Sequence, residues 1–310
     1  MKTIAYGIRL LFISTFLILM GCSNTDKNNN NTDNNKGDLG FTVEKLKGDR
    51  PNLNISILLD LSDRISPNAH PNATMQYYQR DIGYISSIST AFLNHIVNKE
   101  VRKINDRMQI FFDPLPSNSD INNMAEQLKV KLNKNNTSNE KLIQIRENYD
   151  SLTKRIYNLA INAKLYPGSD IWGFFNDKVK DYCIREDHRN VLVIITDGYM
   201  YYVNNTQRNE NRSSYLTSNY IMNNNLNNIS WEKRIESNNF GFIPATSGLE
   251  NLDILVLGLN PNNSSPYEKD VMLKFWSNWF DEMGVSNYEL KTADLPSNLD
   301  ENIKDFIWEE

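Results

Sequence analysis

Histidine and cysteine are scarce in this chain, with three His and two Cys among 310 residues. None of His70, His95 and His188 pairs with another at metal-ligand spacing, which excludes a His-built centre of the zinc-enzyme kind. There is no Gly-x-Ser-x-Gly elbow and no His-Glu-x-x-His helix, so the usual hydrolase signatures are missing. No glycine-rich phosphate loop follows a strand, which removes the case for a nucleotide. Basic tracts are missing too. The formal charge is −5, a balance that suits neither nucleic acid nor electrostatic attraction to an anionic lipid surface. The apolar run at residues 10–20 is too short to span a bilayer as a helix.

That run follows Lys2 and Arg9 and leads into Leu19-Met20-Gly21-Cys22, the layout of a cleaved export signal. The last four residues resemble the lipobox of bacterial lipoproteins, with Met at a position where it is less usual. The resemblance implies a signal at 1–22 and a lipid-bearing Cys22, so that only a lipid anchor holds the protein to the membrane, in the cell envelope. Ser23 carries no strong retention signal, which favours the outer membrane. With Cys22 used this way, Cys183 stands alone and no intrachain disulfide is available. Cys183 continues the apolar stripe Ile171, Phe175, Val179, Tyr182, the position of a buried structural thiol. Residues 23–36 are nearly all Asn, Asp, Thr and Lys, with nothing apolar to bury. They read as a solvated tether running to about residue 40. The remainder, 41–310, has the length of one large domain.

Two apolar, β-branched runs dominate that domain, ISILLDLSDR at 55–64 and VLVIITDG at 191–198. Each reads as a buried strand ending in an Asp. Further strands are expected at 107–113, 252–257 and around Tyr288. Helical periods lie between them, at Tyr78, Ile82, Ile85, Phe92 and at Leu142, Ile145, Tyr149, Leu152, Ile156. Thr137 with Glu140, and Ser265 with Glu268, stand at capping-box spacing. Gly284 ends the helix that carries Val271, Phe275, Trp279 and Met283. Alternating strands and helices, with the strands apolar almost throughout, predict an α/β fold: a doubly wound, mostly parallel sheet with helices on both faces. Between about 199 and 250 runs an Asn-rich insertion dotted with Tyr201, Tyr202, Tyr215, Tyr220, Trp231, Phe240 and Phe242. It is either a partner-binding loop or a set of packed elements that cover the sheet.

In an open parallel sheet, ligands collect at the carboxyl ends of the strands, where strand order reverses. Asp60, Ser62 and Asp197 therefore form a set of hard oxygen donors suited to Mg²⁺ or Mn²⁺. Asp60-Leu61-Ser62 after the first strand, Gly168-Ser169 before a helix, and Thr196-Asp197-Gly198 after a later strand together resemble a von Willebrand factor A domain, over about residue 53 to the C-terminus. The resemblance implies a metal-ion-dependent adhesion site formed by Asp60, Ser62, Ser169 and Asp197. In that family an open coordination position on the metal receives a carboxylate from a protein partner. The third position of the first motif is Arg64 where the family has Ser, and Arg cannot ligate a cation. It either turns inward to pair with Asp60 or Asp197, or outward beside Asp63, with water replacing the hydroxyl. Asp170 would add a further oxygen. The function expected is binding of a protein, or a surface glycan, with no catalysis. The rivals are a metal-dependent hydrolase on the same Asp cluster, and a metal-free structural envelope lipoprotein in which Asp60 and Asp197 only cap their loops. His70, between Pro67 and Pro71, reads as a surface-turn residue.

Overall fold

A computed structural model of the chain describes residues 39–163, 168–263 and 265–309. The expected export signal, Cys22 and most of the tether lie outside these residues. Leu39, the first described residue, is buried in the core.

The chain opens with β1 (Asn52–Leu59), α1 (Tyr77–Val97), β2 (Asn105–Phe111), α2 (Ser119–Gln127), β3 (Val130–Asn133) and α3 (Asn139–Ile161). A two-residue strand, β4 (Gly168–Ser169), leads to α4 (Ile171–Asp177), α5 (Val179–Cys183) and β5 (His188–Ile195). The insertion contains β6 (Tyr201–Tyr202), β7 (Arg208–Asn209), β8 (Arg212–Ser213), α6 (Ser218–Asn223), α7 (Trp231–Asn238) and β9 (Gly241–Phe242). The last four elements are β10 (Leu252–Leu259), α8 (Glu268–Met283), β11 (Tyr288–Thr292) and α9 (Pro296–Trp308).

The central sheet has the order β11-β10-β5-β1-β2-β3. Every neighbouring pair is parallel except β2 with β3. This is the expected doubly wound α/β sheet with one antiparallel edge strand added. Strand order reverses between β1 and β5, because β2 lies on one side of β1 and β5 on the other. Leu59 is level with Ile195, and Ile195 with Leu257, so the three central strands finish together.

Successive side chains of the central strands point to opposite faces. Ile55, Ile57, Leu59, Val191, Val193 and Ile195 enter the core shared with α1, α2, α3 and α9. Leu58, Leu192, Ile194, Ile254 and Val256 enter the core under α4 to α8. In α8 the four-residue spacing of Val271, Phe275, Trp279 and Met283 puts all four on the sheet side, fully buried. Burying a Phe side chain contributes about 1.5–3 kcal/mol. Gly284, at φ +84°, ends α8 as the spacing predicts.

Both expected capping boxes are replaced by other contacts. Ser138, not Thr137, caps α3 by accepting the Lys141 N–H, while Thr137 donates to the Asn133 carbonyl. Glu268 begins α8 with its carboxylate turned toward Tyr199 and Ser218, so it does not reach back to Ser265. The helix expected through Cys183 breaks at Lys178 into α4 and α5. Cys183 is buried, as its stripe implies, whereas Tyr182 is half exposed.

The N-terminal segment is clasped at the far end of α1. Asn94 accepts the Glu44 N–H and donates to the Glu44 carbonyl, at 2.9 and 3.0 Å. Asn98 accepts the Leu46 N–H at 3.0 Å and donates to the same Glu44 carbonyl at 2.8 Å. One residue on, Lys99 joins Asp106 at the start of β2 to the Pro51 carbonyl just before β1. The clasp therefore sits at the amino ends of the strands.

Candidate functional site

At the opposite, carboxyl edge, Asp60, Ser62, Ser169 and Asp197 line one cleft of about 760 Å³. The three loops that the sequence places after β1, before α4 and after β5 thus share a single depression. Asp63 and His70 also line it, and the His70 ring is half exposed, as a surface-turn residue should be.

Asp60 follows directly on β1 and is buried. Its Oδ1 accepts the Ser62 N–H at 2.9 Å and its Oδ2 accepts the Thr196 hydroxyl at 2.9 Å. The carboxylate thereby ties the β1 loop to the β5 loop. Asp197 accepts the Tyr199 N–H through Oδ1 at 3.0 Å. Burial and the nearby Asp60 charge push the Asp197 carboxyl up to about 7, against the pull of Arg64. The Ser169 hydroxyl is buried and has no hydrogen-bond partner among the described residues. The Ser62 side chain does not cap the turn that follows it.

Arg64 settles the open question of its direction: it turns inward, beneath the cleft. It is 5% exposed, and its Nη2 donates to Asp81 Oδ2 at 2.7 Å. The same group reaches the Ile195 carbonyl at 3.3 Å, while Nε donates to the Asp60 carbonyl at 3.2 Å and lies 3.6 Å from Asp60 Oδ2. Tyr157 of α3 donates to Asp81 Oδ2 at 3.0 Å. Burial disfavours the guanidinium charge, but Asp81 and Asp60 outweigh it and hold the Arg64 pKa above its ordinary value. Arg64 is therefore a permanently charged post under the site, joining α1 and α3 to the two central strands.

Asp170 is not one of the cleft residues. Its Oδ1 caps α4 through the Gly173 N–H at 2.8 Å, and Asn205 donates to both of its oxygens. With both oxygens engaged, it fixes the loops around the site.

Several contributors escape the motif reading. Asp81 occupies the buried face of α1, four residues before Ile85 and seven before Ile88. A carboxylate on an apolar stripe was the available signal for it. Tyr199 and Ser218, on the cleft wall, both donate to the buried Glu268 carboxylate, Tyr199 at 2.5 Å. The Asn262 N–H reaches the Tyr199 hydroxyl at 2.8 Å. Trp276 of α8 donates to the Gly198 carbonyl at 2.9 Å, and Gly198 itself, at φ +92°, leaves no room for a Cβ against Met272 and Leu259. The loop after β5 is thus held from both sides.

The insertion is mostly packed structure. Tyr220, Phe240 and Phe242 are buried in the core beside α8. Its first arm is bound to the site: Gly168 pairs with Tyr202 and Ser169 with Tyr201 in an antiparallel ladder. Gly168, at φ +91°, allows this approach, since a Cβ there would collide with the Tyr201 carbonyl.

Among the described residues no three His, Cys, Asp or Glu side chains gather as a metal cage. The candidate donor set is instead two carboxylates with two hydroxyls. No described helix is long and apolar enough to cross a membrane.

No family model matches the chain, and no curated protein does. Among solved structures it is similar to an aerotolerance-related membrane protein of Bacteroides fragilis, at 12% identity and a TM-score of 0.36, over 82% of this chain and 98% of that one. It is also similar to the pilus adhesin SpaC of Lactobacillus rhamnosus GG, at 10% identity and a TM-score of 0.40, over 85% of this chain and 31% of that one. A third is the PilB minor pilin of Streptococcus sanguinis, at 11% identity and a TM-score of 0.40, over 86% of this chain and 64% of that one. These are loose likenesses.

Proposed function

We propose that this is a cell-envelope binding protein, lipid-anchored at Cys22, with a site of the von Willebrand factor A kind that recognises a protein partner. In this reading Asp60, Ser62, Ser169 and Asp197 hold a divalent cation, Mg²⁺ or Mn²⁺. Once bound, the ion would supply a positive, oxygen-seeking centre for a carboxylate of the partner.

The observation that carries the reading is the Ser169 hydroxyl. A buried hydroxyl without a partner costs about 1–3 kcal/mol, and Ser169 lines the same cleft as Asp60, Asp197 and Ser62. The charge balance agrees with a cation. Asp81 pairs with Arg64 at 2.7 Å, so that acid and base offset each other, and the negative charge of Asp60 and Asp197 is left for the site. The donor set is hard oxygen, which suits Mg²⁺ or Mn²⁺ over softer metals.

A metal-free envelope protein is the second reading, favoured by the 3.6 Å separation of Arg64 from Asp60. Calorimetric titration of Mn²⁺ into the purified protein separates the two. Binding is expected for the unaltered chain and its loss for Asp197→Asn. Absence of heat with the unaltered chain would overturn the metal reading and leave the second.

A further inference from the structure

Beside the cleft lies a second depression, of about 650 Å³, which shares Ser62, Asp63, Gly168 and Tyr201 with it. Its own character is different. Ile65 forms part of its floor, Ile161 and Ala163 line it at the end of α3, and Val203 stands on its rim. Val203 is 57% exposed and Tyr201 46%, both beside a site where polar groups otherwise dominate. Isolated exposed apolar residues need no explanation, but these two belong to a shelf that runs directly into the cleft.

The shelf is fixed in place before anything binds. The ladder between β4 and β6 bonds the Tyr201 backbone to that of Ser169. Asn205 fastens the far end of the arm to Asp170. The Tyr201 ring packs edge-on against Tyr215 with centroids 6.4 Å apart, so its orientation is braced. A rigid, half-exposed Tyr beside an apolar hollow loses little entropy on contact, which is the character of an interface anchor.

We propose that the binding surface extends from the cleft onto this shelf, and that its occupant is an extended segment of a protein partner. That segment carries a carboxylate residue with a bulky apolar side chain, aromatic or branched aliphatic, two residues away in sequence, on the same face of the extended chain. The carboxylate goes to the cleft and the apolar side chain lies over Val203 and against Tyr201. The choice of occupant rests on the proposed function, which puts a carboxylate in the cleft. The two depressions share Gly168 and Ser62, so the apolar wall begins where the cleft ends. Alternate residues of an extended chain point the same way and lie about 6–7 Å apart, so a two-residue step carries the second side chain from the cleft onto the shelf.

The test is to pan a randomised heptapeptide phage library on the purified protein in Mg²⁺ and to sequence what is retained. Enrichment of Asp or Glu two positions from Phe, Leu, Ile or Met is expected. Both Val203→Ser and Tyr201→Ser should then weaken binding of the enriched peptides about tenfold or more, as for an anchor residue, and Val203→Ser, outside the cleft, should leave the Mn²⁺ titration unchanged. Two exposed positions are used so that a folding defect in one variant does not decide the matter. Acidic peptides with no apolar preference, or peptides that bind both variants unchanged, would overturn the shelf and leave the proposed function standing. Enrichment without acidic residues, or no enrichment, would overturn both.

Discussion

Arg64 and Asp81 form a buried ion pair, Nη2 to Oδ2 at 2.7 Å, directly under the strand ends that carry Asp60 and Asp197. Taking both ions out of water is expensive, and removing one partner leaves the other charge uncompensated. Arg64→Ser, which puts a short hydroxyl side chain in place of the guanidinium, should therefore destabilise the fold by about 3–5 kcal/mol. Arg64→Met combined with Asp81→Leu should recover most of that loss. Urea denaturation of the single and double variants measures both outcomes.

Ser169→Ala should have the opposite profile. Its hydroxyl bonds to nothing among the described residues, so its removal should leave stability within about 0.5 kcal/mol of the parent or raise it. Mn²⁺ affinity should fall at the same time. Calorimetry paired with urea denaturation checks the split, and a large stability loss with unchanged affinity would contradict it.

Asp197 gives the protein a pH dependence. Its folded-state pKa is pushed up to about 7 by burial and by Asp60, against about 3.9 in an unfolded chain. The folded state therefore takes up a proton between those values. The associated stability is complete below about pH 4 and is lost as pH rises through 7. Asp197→Asn mimics the protonated acid, so at pH 8 without metal it should melt a few degrees above the parent. The two should converge toward pH 4. Adding Mg²⁺ at pH 8 should raise the melting temperature of the parent only. Thermal melts across this range, with and without Mg²⁺, test all three statements.

Gly168→Ala probes the arm beside the cleft. The substitution places a Cβ at φ +91° and against the Tyr201 carbonyl, a strain of about 1–3 kcal/mol. Amide hydrogen exchange should become faster at Tyr201 and Tyr202, the residues paired with β4, while the central strands remain protected. Unchanged exchange at Tyr201 and Tyr202 would mean that the ladder does not hold the arm.

Much of this architecture is legible in the sequence because its signals are local. The eight-residue strands β1 and β5 each carry five apolar residues, and the Asp that follows each run marks the sheet edge. The strand β3 was not legible. Its four residues alternate between inside and outside too briefly to stand out beside an Asn-rich turn. The capping boxes misled for a related reason. Ser138 adjoins Thr137 and competes for the same backbone donors, and Glu268 satisfies its carboxylate on Tyr199, 69 residues away. Arg64 shows the same limit within the site: its character as a non-ligand is evident from its chemistry, but its partner Asp81 depends on how α1 packs. The oxygens of Asp170 are likewise claimed by Asn205, on an insertion whose course no periodicity reveals.

The Asn94 and Asn98 clasp has a mechanical consequence. The incoming chain is gripped at the amino ends of the strands, while the cleft opens at their carboxyl ends. A pull transmitted along the N-terminal segment meets α1 and the first strand before it can deform the loops of Asp60 or Asp197. A load on that segment and the cleft are kept a full sheet length apart, so the protein can be tugged from one end while the other keeps its shape.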